Sequence, residues 1–401
     1  MRSRKLTILL LGLLTAVVPF SIDLYLPAFP EIATSLNTTV NKVAWSLSSF
    51  FIGVGLGQLM YGPLLDRFGR KPPLYAGLII FCVSSVGCAF ATSIEMLLVL
   101  RFVQAIGACA ATITATAMVR DLFPPEENAK IFSILILVLS ISPMLAPTIG
   151  GFIAESWGWK HIFSSLTGLV LLIFAGVVFL LPESKGPDKS YSLNARSVSR
   201  NFAAVLRNTP FTVYAIMGGI SFASLFAYIA ASPAVFIGLF GLDPKEFGLL
   251  FAFLASGLII PSQLNRFLLK TYSSARIIRT AFVIQTIFGL LLLAHSLWFP
   301  RNFNITVGLL YLDLAAIGVV MPNATALAMA PFEKNAGSAS ALLGFLQMGL
   351  GSLATIGIGL LTIRSVVPMA AGILICSTIG LVLAFWSYRH FAKTTSSLAV
   401  Q

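Results

Sequence analysis

Apolar residues come in long runs along this chain, separated by short polar connections, and each run is long enough to form a membrane-crossing helix. Twelve runs fall at roughly 6–29, 43–65, 73–92, 95–118, 130–154, 160–181, 211–238, 247–268, 276–296, 304–328, 336–362 and 366–388. A helix needs about 20 predominantly apolar residues to cross a hydrocarbon core about 30 Å thick. Several connections are so short that neighbouring helices must run antiparallel. One is long and polar, "PESKGPDKSYSLNARSVSRNFAAVLRNTP" at 182–210. The pattern predicts an all-α integral membrane protein, with a linker over 182–210 between a six-helix bundle at 1–181 and a second at 211–401.

Composition agrees with a lipid solvent. Apolar residues fill 57% of the 401 positions and charged residues 10%, and the mean hydropathy is +0.93. A soluble domain carries about 25% charged residues. The net charge of +12 does not point to nucleic acid, because the basic residues lie between apolar runs instead of gathering on one polar face. They act as topology signals. With the N-terminus in the cytoplasm, the inside segments hold 20 of the 26 Lys and Arg, and the outside loops hold five: Lys42, Lys160, Lys245, Arg301 and Arg364. Both termini are then cytoplasmic. "MRSRK" leads into a run with no persuasive cleavage point, so it reads as the first membrane helix and not as a signal peptide. Cys82, Cys88, Cys109 and Cys376 all lie within apolar runs and read as small buried residues, not as a disulfide or metal set.

The loop after the second run breaks the pattern. "GPLLDRFGRKP" (62–72) sets Asp66, Arg67, Arg70 and Lys71 into one turn between apolar flanks. It is either a solvated basic loop or a charge latch. A faint echo follows: Leu65, Arg67, Phe68 and Lys71 recur as Leu264, Arg266, Phe267 and Lys270, offset by 199 residues. Both stretches close the second span of a six-helix half, and parallel six-helix repeats occur in some transporters.

With Gly62, Asp66, Arg67, Gly69, Arg70 and Lys71 in place, this loop resembles the loop 2–3 signature of the major facilitator superfamily. "RFVQAIGA" (101–108) is similar to the fourth-helix motif of its proton-coupled exporters, with Ala105 where Gly is usual. "SPMLAPTIGG" (142–151) resembles the fifth-helix antiporter motif through Pro147, Gly150 and Gly151, with Ala146 replacing Gly. Pro143 and Pro147 should bend that helix. "PFSIDLYLPAFPEIA" (19–33) resembles the first helix of the bicyclomycin-resistance and chloramphenicol/florfenicol-exporter (Bcr/CflA) subfamily. The resemblance implies twelve helices in two six-helix pseudo-repeats. It implies a loop that latches the halves together, and drug export by exchange for protons in the bacterial inner membrane. No cofactor beyond the coupling proton is implied.

Charges inside spans are rare and costly, which makes each a functional candidate. Asp23, Arg101 and Asp313 stand out. Asp23 lies 17 residues past Leu6, roughly 25 Å up a helix rising about 1.5 Å per residue. Arg101 lies six residues past Glu95, roughly 9 Å down its own helix. Both heights fall in the outer half of the membrane, and the two residues are expected to face each other. Such a pair either couples proton to cargo or fixes helix packing. Asp313 is open to three readings: a second proton site, a contact for a cationic substrate, or an acid satisfied by neighbouring hydroxyls. Tyr25, Gln104, Phe222, Phe226, Asn323 and Gln347 are candidate cavity-lining residues, although Phe222 and Phe226 also have the spacing of ordinary helix packing. Gly53, Gly55, Gly57, Gly349, Gly351, Gly357 and Gly359 suggest close helix contacts. Glu155 and Asp243 fall at outer span ends and should face water.

These features point to proton-coupled efflux of small amphipathic drugs by a monomer using alternating access. An exporter of a dedicated metabolite (siderophore, amino acid or sugar) is the first alternative, and a proton symporter the second. No nucleophile–base pair, metal cluster or phosphate loop favours an enzyme.

Overall fold

The computed structural model describes residues 4–188, 195–299, 302–332, 336–361 and 365–398. Arg301, Arg364 and residues 189–194 of the expected linker lie outside the described residues. Among the described residues, every regular element is helical. In order they are α1 (Arg4–Asp23), α2 (Phe29–Ser35), α3 (Val40–Phe68), α4 (Lys71–Ala89), α5 (Ile94–Leu122), α6 (Pro125–Trp157) and α7 (Trp159–Phe179). Then follow α8 (Ala195–Leu206), α9 (Thr209–Ser232), α10 (Pro244–Leu268), α11 (Ser274–Trp298), α12 (Phe303–Met329), α13 (Ala336–Leu360) and α14 (Val367–Leu398). Twelve spans are long and apolar enough to cross a membrane, with α1 and α2 sharing the first.

Helix starts fall where the polar connections supply a cap. The Thr39 hydroxyl accepts from the Lys42 amide at 3.3 Å, opening α3, and Ser93 accepts from Met96 at 3.2 Å, opening α5. Asn208 and Asn302 do the same for α9 and α12. The first span is interrupted. After Asp23 the chain makes a 3-10 turn over Leu26–Ala28, where Pro27 supplies no amide hydrogen for an α-helical bond, and α2 begins only at Phe29. The seventh span ends in a π-helical segment, Pro233–Leu239. The long connector holds a helix, α8, that the run pattern does not predict.

The chain divides into two compact units, residues 1–200 with 236–252, and residues 201–235 with 253–401. Inside the first, α5 packs on α1, α3 and α4, α7 packs on α4, and α6 packs on α1. Inside the second, α12 packs on α9 and α11, α14 packs on α11, and α13 packs on α9. Each of these second-unit pairings lies six spans after a first-unit counterpart, so the pseudo-repeat expected from the sequence is present in the packing.

Close approach is selective. A methyl group on Gly53 would lie 2.5 Å from the Phe102 carbonyl oxygen, and one on Gly57 would lie 2.8 Å from Cys109 Cβ, so α3 and α5 touch through these glycines. Gly351 of α13 packs on the Phe226 ring. Gly349 and Gly357 have no such neighbour within 4 Å among the described residues, so the expected helix contact is absent there, and Gly62 of the loop motif is equally open. Outward-facing residues such as Val83, Leu172, Phe179, Leu249 and Leu353 are exposed and apolar, as lipid requires.

Candidate functional site

Arg101 is the largest fully buried side chain, at 0% exposure. The sequence places it two turns into α5, and three neighbouring elements close over it. Nη1 donates to Gln104 Oε1 at 2.5 Å, and Nη2 donates to the Ser21 carbonyl of α1 at 2.7 Å. The guanidinium plane lies 4.3 Å from the ring centroids of both Tyr25 and Phe50 and 5.8 Å from that of Phe163. Cation–π contacts of this kind contribute up to about 2 kcal/mol each when desolvated. Tyr25 is held in turn by a 2.9 Å hydrogen bond with Ser46. Tyr25 and Gln104, both candidate cavity residues, are therefore enclosed around Arg101 at 0% exposure. Ser21, Ser46, Phe50 and Phe163 complete the cage, and nothing in their one-dimensional spacing marks them.

Asp23 ends α1 and is buried at 4% exposure. No ion pair joins it to Arg101 among the described residues. Two guanidinium nitrogens are already engaged, by the Ser21 carbonyl and Gln104, and Nε has no partner among the described residues. What stands beside Asp23 is α6: a methyl on Gly150 would run into the Leu24 carbonyl, so the antiporter-like motif packs directly on the end of α1. Further along α6, a methyl on Gly151 would meet the Pro244 carbonyl, and one on Gly248 would lie 2.7 Å from the Pro147 carbonyl oxygen. The Thr148 hydroxyl bonds the Gly248 carbonyl at 3.2 Å, and Lys245 pairs with Glu155 at 2.9 Å. Pro143 and Pro147 both lie inside α6. Asp243 caps α10, accepting from the Glu246 amide at 2.7 Å.

The charged loop between α3 and α4 is knitted into the first unit. Arg70 Nε donates to Asp121 at 2.7 Å and Nη1 donates to Asp66 at 3.1 Å, the latter also 3.8 Å from Lys185. Glu183 accepts from the backbone amides of Arg70 (2.9 Å) and Lys71 (3.1 Å), capping the start of α4. Lys71 Nζ reaches the Leu181 carbonyl at 2.8 Å, and Ser184 donates to Asp121 at 2.9 Å. Gly69, at φ +85°, makes the turn next to the Lys185 carbonyl. Arg67 belongs to the same basic turn. The "PESK" segment at the end of the sixth span is thus a partner of this loop that the motif reading did not supply.

In the second unit, the Phe222 and Phe226 rings meet at a tilt of 60° with centroids 4.7 Å apart, against α13. Gln347 lies against α9 beside Gly218. Asn323 donates to Asn265 Oδ1 at 2.8 Å, joining α12 to α10, and Asn265 occupies the position that corresponds to Asp66 in the 199-residue repeat. Asp313 is at 0% exposure, and neither carboxyl oxygen has a hydrogen-bond donor among the described residues. Gln285 of α11 is beside it.

A family model described as Major Facilitator Superfamily matches residues 11–356. The chain is 30% identical over 385 residues to the bicyclomycin resistance protein homolog of Haemophilus influenzae, covering 96% of each chain. It is 28% identical over 385 residues to a chloramphenicol resistance protein of Pseudomonas aeruginosa (94% and 90% covered). It is 29% identical to multidrug resistance protein MdtL of Klebsiella pneumoniae (92% of each). Among solved structures, a D-xylose-proton symporter superposes with TM-score 0.78 at 18% identity over 96% of this chain and 97% of its own, a likeness of fold. Twelve spans among the described residues in repeated six-helix packing, with a family match over residues 11–356, establish that this chain belongs to the Major Facilitator Superfamily of membrane transporters.

Proposed function

We propose that the protein is a proton-driven exporter of small amphipathic drugs, working by alternating access of its two six-helix halves in the bacterial inner membrane. The names of its relatives support drugs as cargo. The observation that carries proton coupling is Asp23, a buried acid with no ion-pair partner among the described residues, at the joint where the end of α1 packs on Gly150 of α6. A charge there costs energy that a proton removes, so proton binding shifts the balance between packings of α1 on α6. Arg101 organises this end of α1 by holding the Ser21 carbonyl and the Tyr25 ring. Phe222, Phe226, Asn323 and Gln347 are the cavity candidates of the second half. The loop at Asp66 to Lys71 serves as the latch, and the linker joins the halves of a monomer.

The test is chloramphenicol-driven proton release from purified protein in detergent. Wild type should release protons and Asp23→Asn should not; equal release would falsify the assignment. A susceptibility panel in an efflux-deficient strain separates a drug exporter from one serving a single metabolite, and the direction of proton flux in proteoliposomes separates both from a symporter.

A further inference from the structure

The fourth span of the second half buries an acid that its surroundings do not satisfy. Asp313 lies on the face of α12 turned towards α9, α11 and α14, where its neighbours are Gln285 of α11 and Cys376 of α14. The titratable group facing it is the Cys376 thiol. No cation pairs with it, and among the described residues α9, α10, α11 and α13 place no charged side chain against it. Gln285 spends its amide nitrogen on Ser224 Oγ of α9, at 3.0 Å. As a result Asp313 Oδ1, Asp313 Oδ2 and Gln285 Oε1 are all buried acceptors with no donor among the described residues. Three orphaned acceptors in one dry cluster are costly, and one hydrogen on the carboxyl, shared with Gln285 Oε1, satisfies two of them at once.

We propose that Asp313, Gln285 and Ser224 form a proton-binding site inside the second unit, and that loss of the proton reverses the hydrogen bond between Gln285 and Ser224. With the proton present, Asp313 donates to Gln285 Oε1, and Gln285 Nε2 donates to Ser224, as observed. With the proton gone, the amide turns half a revolution. Nε2 then donates to the carboxylate, and Oε1 accepts from the Ser224 hydroxyl. Ser224 lies between Phe222 and Phe226 in the chain, and those rings pack on Gly351 from another side of α9. A proton on Asp313 is therefore sensed by the same helix that carries the cavity aromatics. Its part in transport rests on the exporter reading above; the site itself does not.

Infrared difference spectroscopy of the purified full-length protein across a pH titration reads the proton directly. It is best recorded in an Asp23→Asn background, which removes the other buried acid. We expect a carboxylic-acid carbonyl stretch that disappears in Asp313→Asn and moves to higher frequency in Gln285→Leu, where the acid loses its acceptor. A band unchanged in Asp313→Asn overturns the proposal. So does a band abolished by sodium chloride but not by potassium chloride, which would make the cluster a sodium site. If Asp313→Asn fails to fold, the Gln285→Leu shift decides: no shift, no shared proton. No drug or gradient enters the measurement, so the proton site can stand while the efflux reading falls, and the reverse.

Discussion

Arg101 and Asp313 occupy the fourth spans of their respective six-helix halves, both at 0% exposure and each with a glutamine beside it. Their surroundings differ in kind. The cation is wrapped by a carbonyl, an amide oxygen and three aromatic rings. Among the described residues neither oxygen of the acid has a hydrogen-bond donor, and its neighbour is the Gln285 amide. A guanidinium does not give up its proton in a protein, so its charge can be buried only by building a permanent cage. A carboxyl can be satisfied by gaining a hydrogen, so it needs no cage, and its state can change. At the fourth span, then, the first half holds a charge that cannot change and the second a group whose charge can.

The sharpest test of that contrast is a pair of near-isosteric substitutions. Arg101→Lys should lower the thermal midpoint in detergent by several degrees, because an ammonium cannot stack between Tyr25 and Phe50 while reaching both Ser21 and Gln104. Asp313→Asn should keep a thermal midpoint close to wild type, because the amide also offers a hydrogen to Gln285. Equal damage from both would break the comparison. Next in size is Gly150→Ala, which sets a methyl against the Leu24 carbonyl. It should cost about 1–3 kcal/mol by overpacking and lower the melting temperature in detergent, whereas Gly62→Ala should leave it unchanged. Tyr25→Phe keeps the ring over Arg101 and removes the Ser46 bond, so a loss of about 1 kcal/mol is expected, with transport retained. The smallest effect belongs to Glu155→Gln. Its half-exposed pair with Lys245 contributes about 0.2–1 kcal/mol, and the difference from wild type should vanish in high salt.

Much of the architecture is legible in one dimension, because lipid demands twelve apolar runs and the positions of the polar caps bound them. Breaks inside a run are harder to see. The first run is one span, but Pro27 lies in a 3-10 turn that separates α1 from α2 within it. The connector's helix leaves only a faint trace, Val198, Phe202, Val205 and Leu206 at helical spacing in an otherwise polar stretch. Counting residues set Asp23 and Arg101 at similar heights but carries no information about direction around each helix. That direction gives the guanidinium to Ser21 and Gln104. Glu155 shows the same limit: its place at a span end marks exposure but not Lys245 as partner. Gln285 and Asp313 come from different helices, and no local pattern joins them.

The Glu183 cap on α4 bears on where this chain can be divided. Arg70, Lys71 and the turn at Gly69 all rest on residues 181–185. Two separately expressed gene fragments should therefore reassemble when the break falls beyond position 188. A fragment stopping at the apolar end of the sixth span would leave the start of α4 uncapped and fail to accumulate.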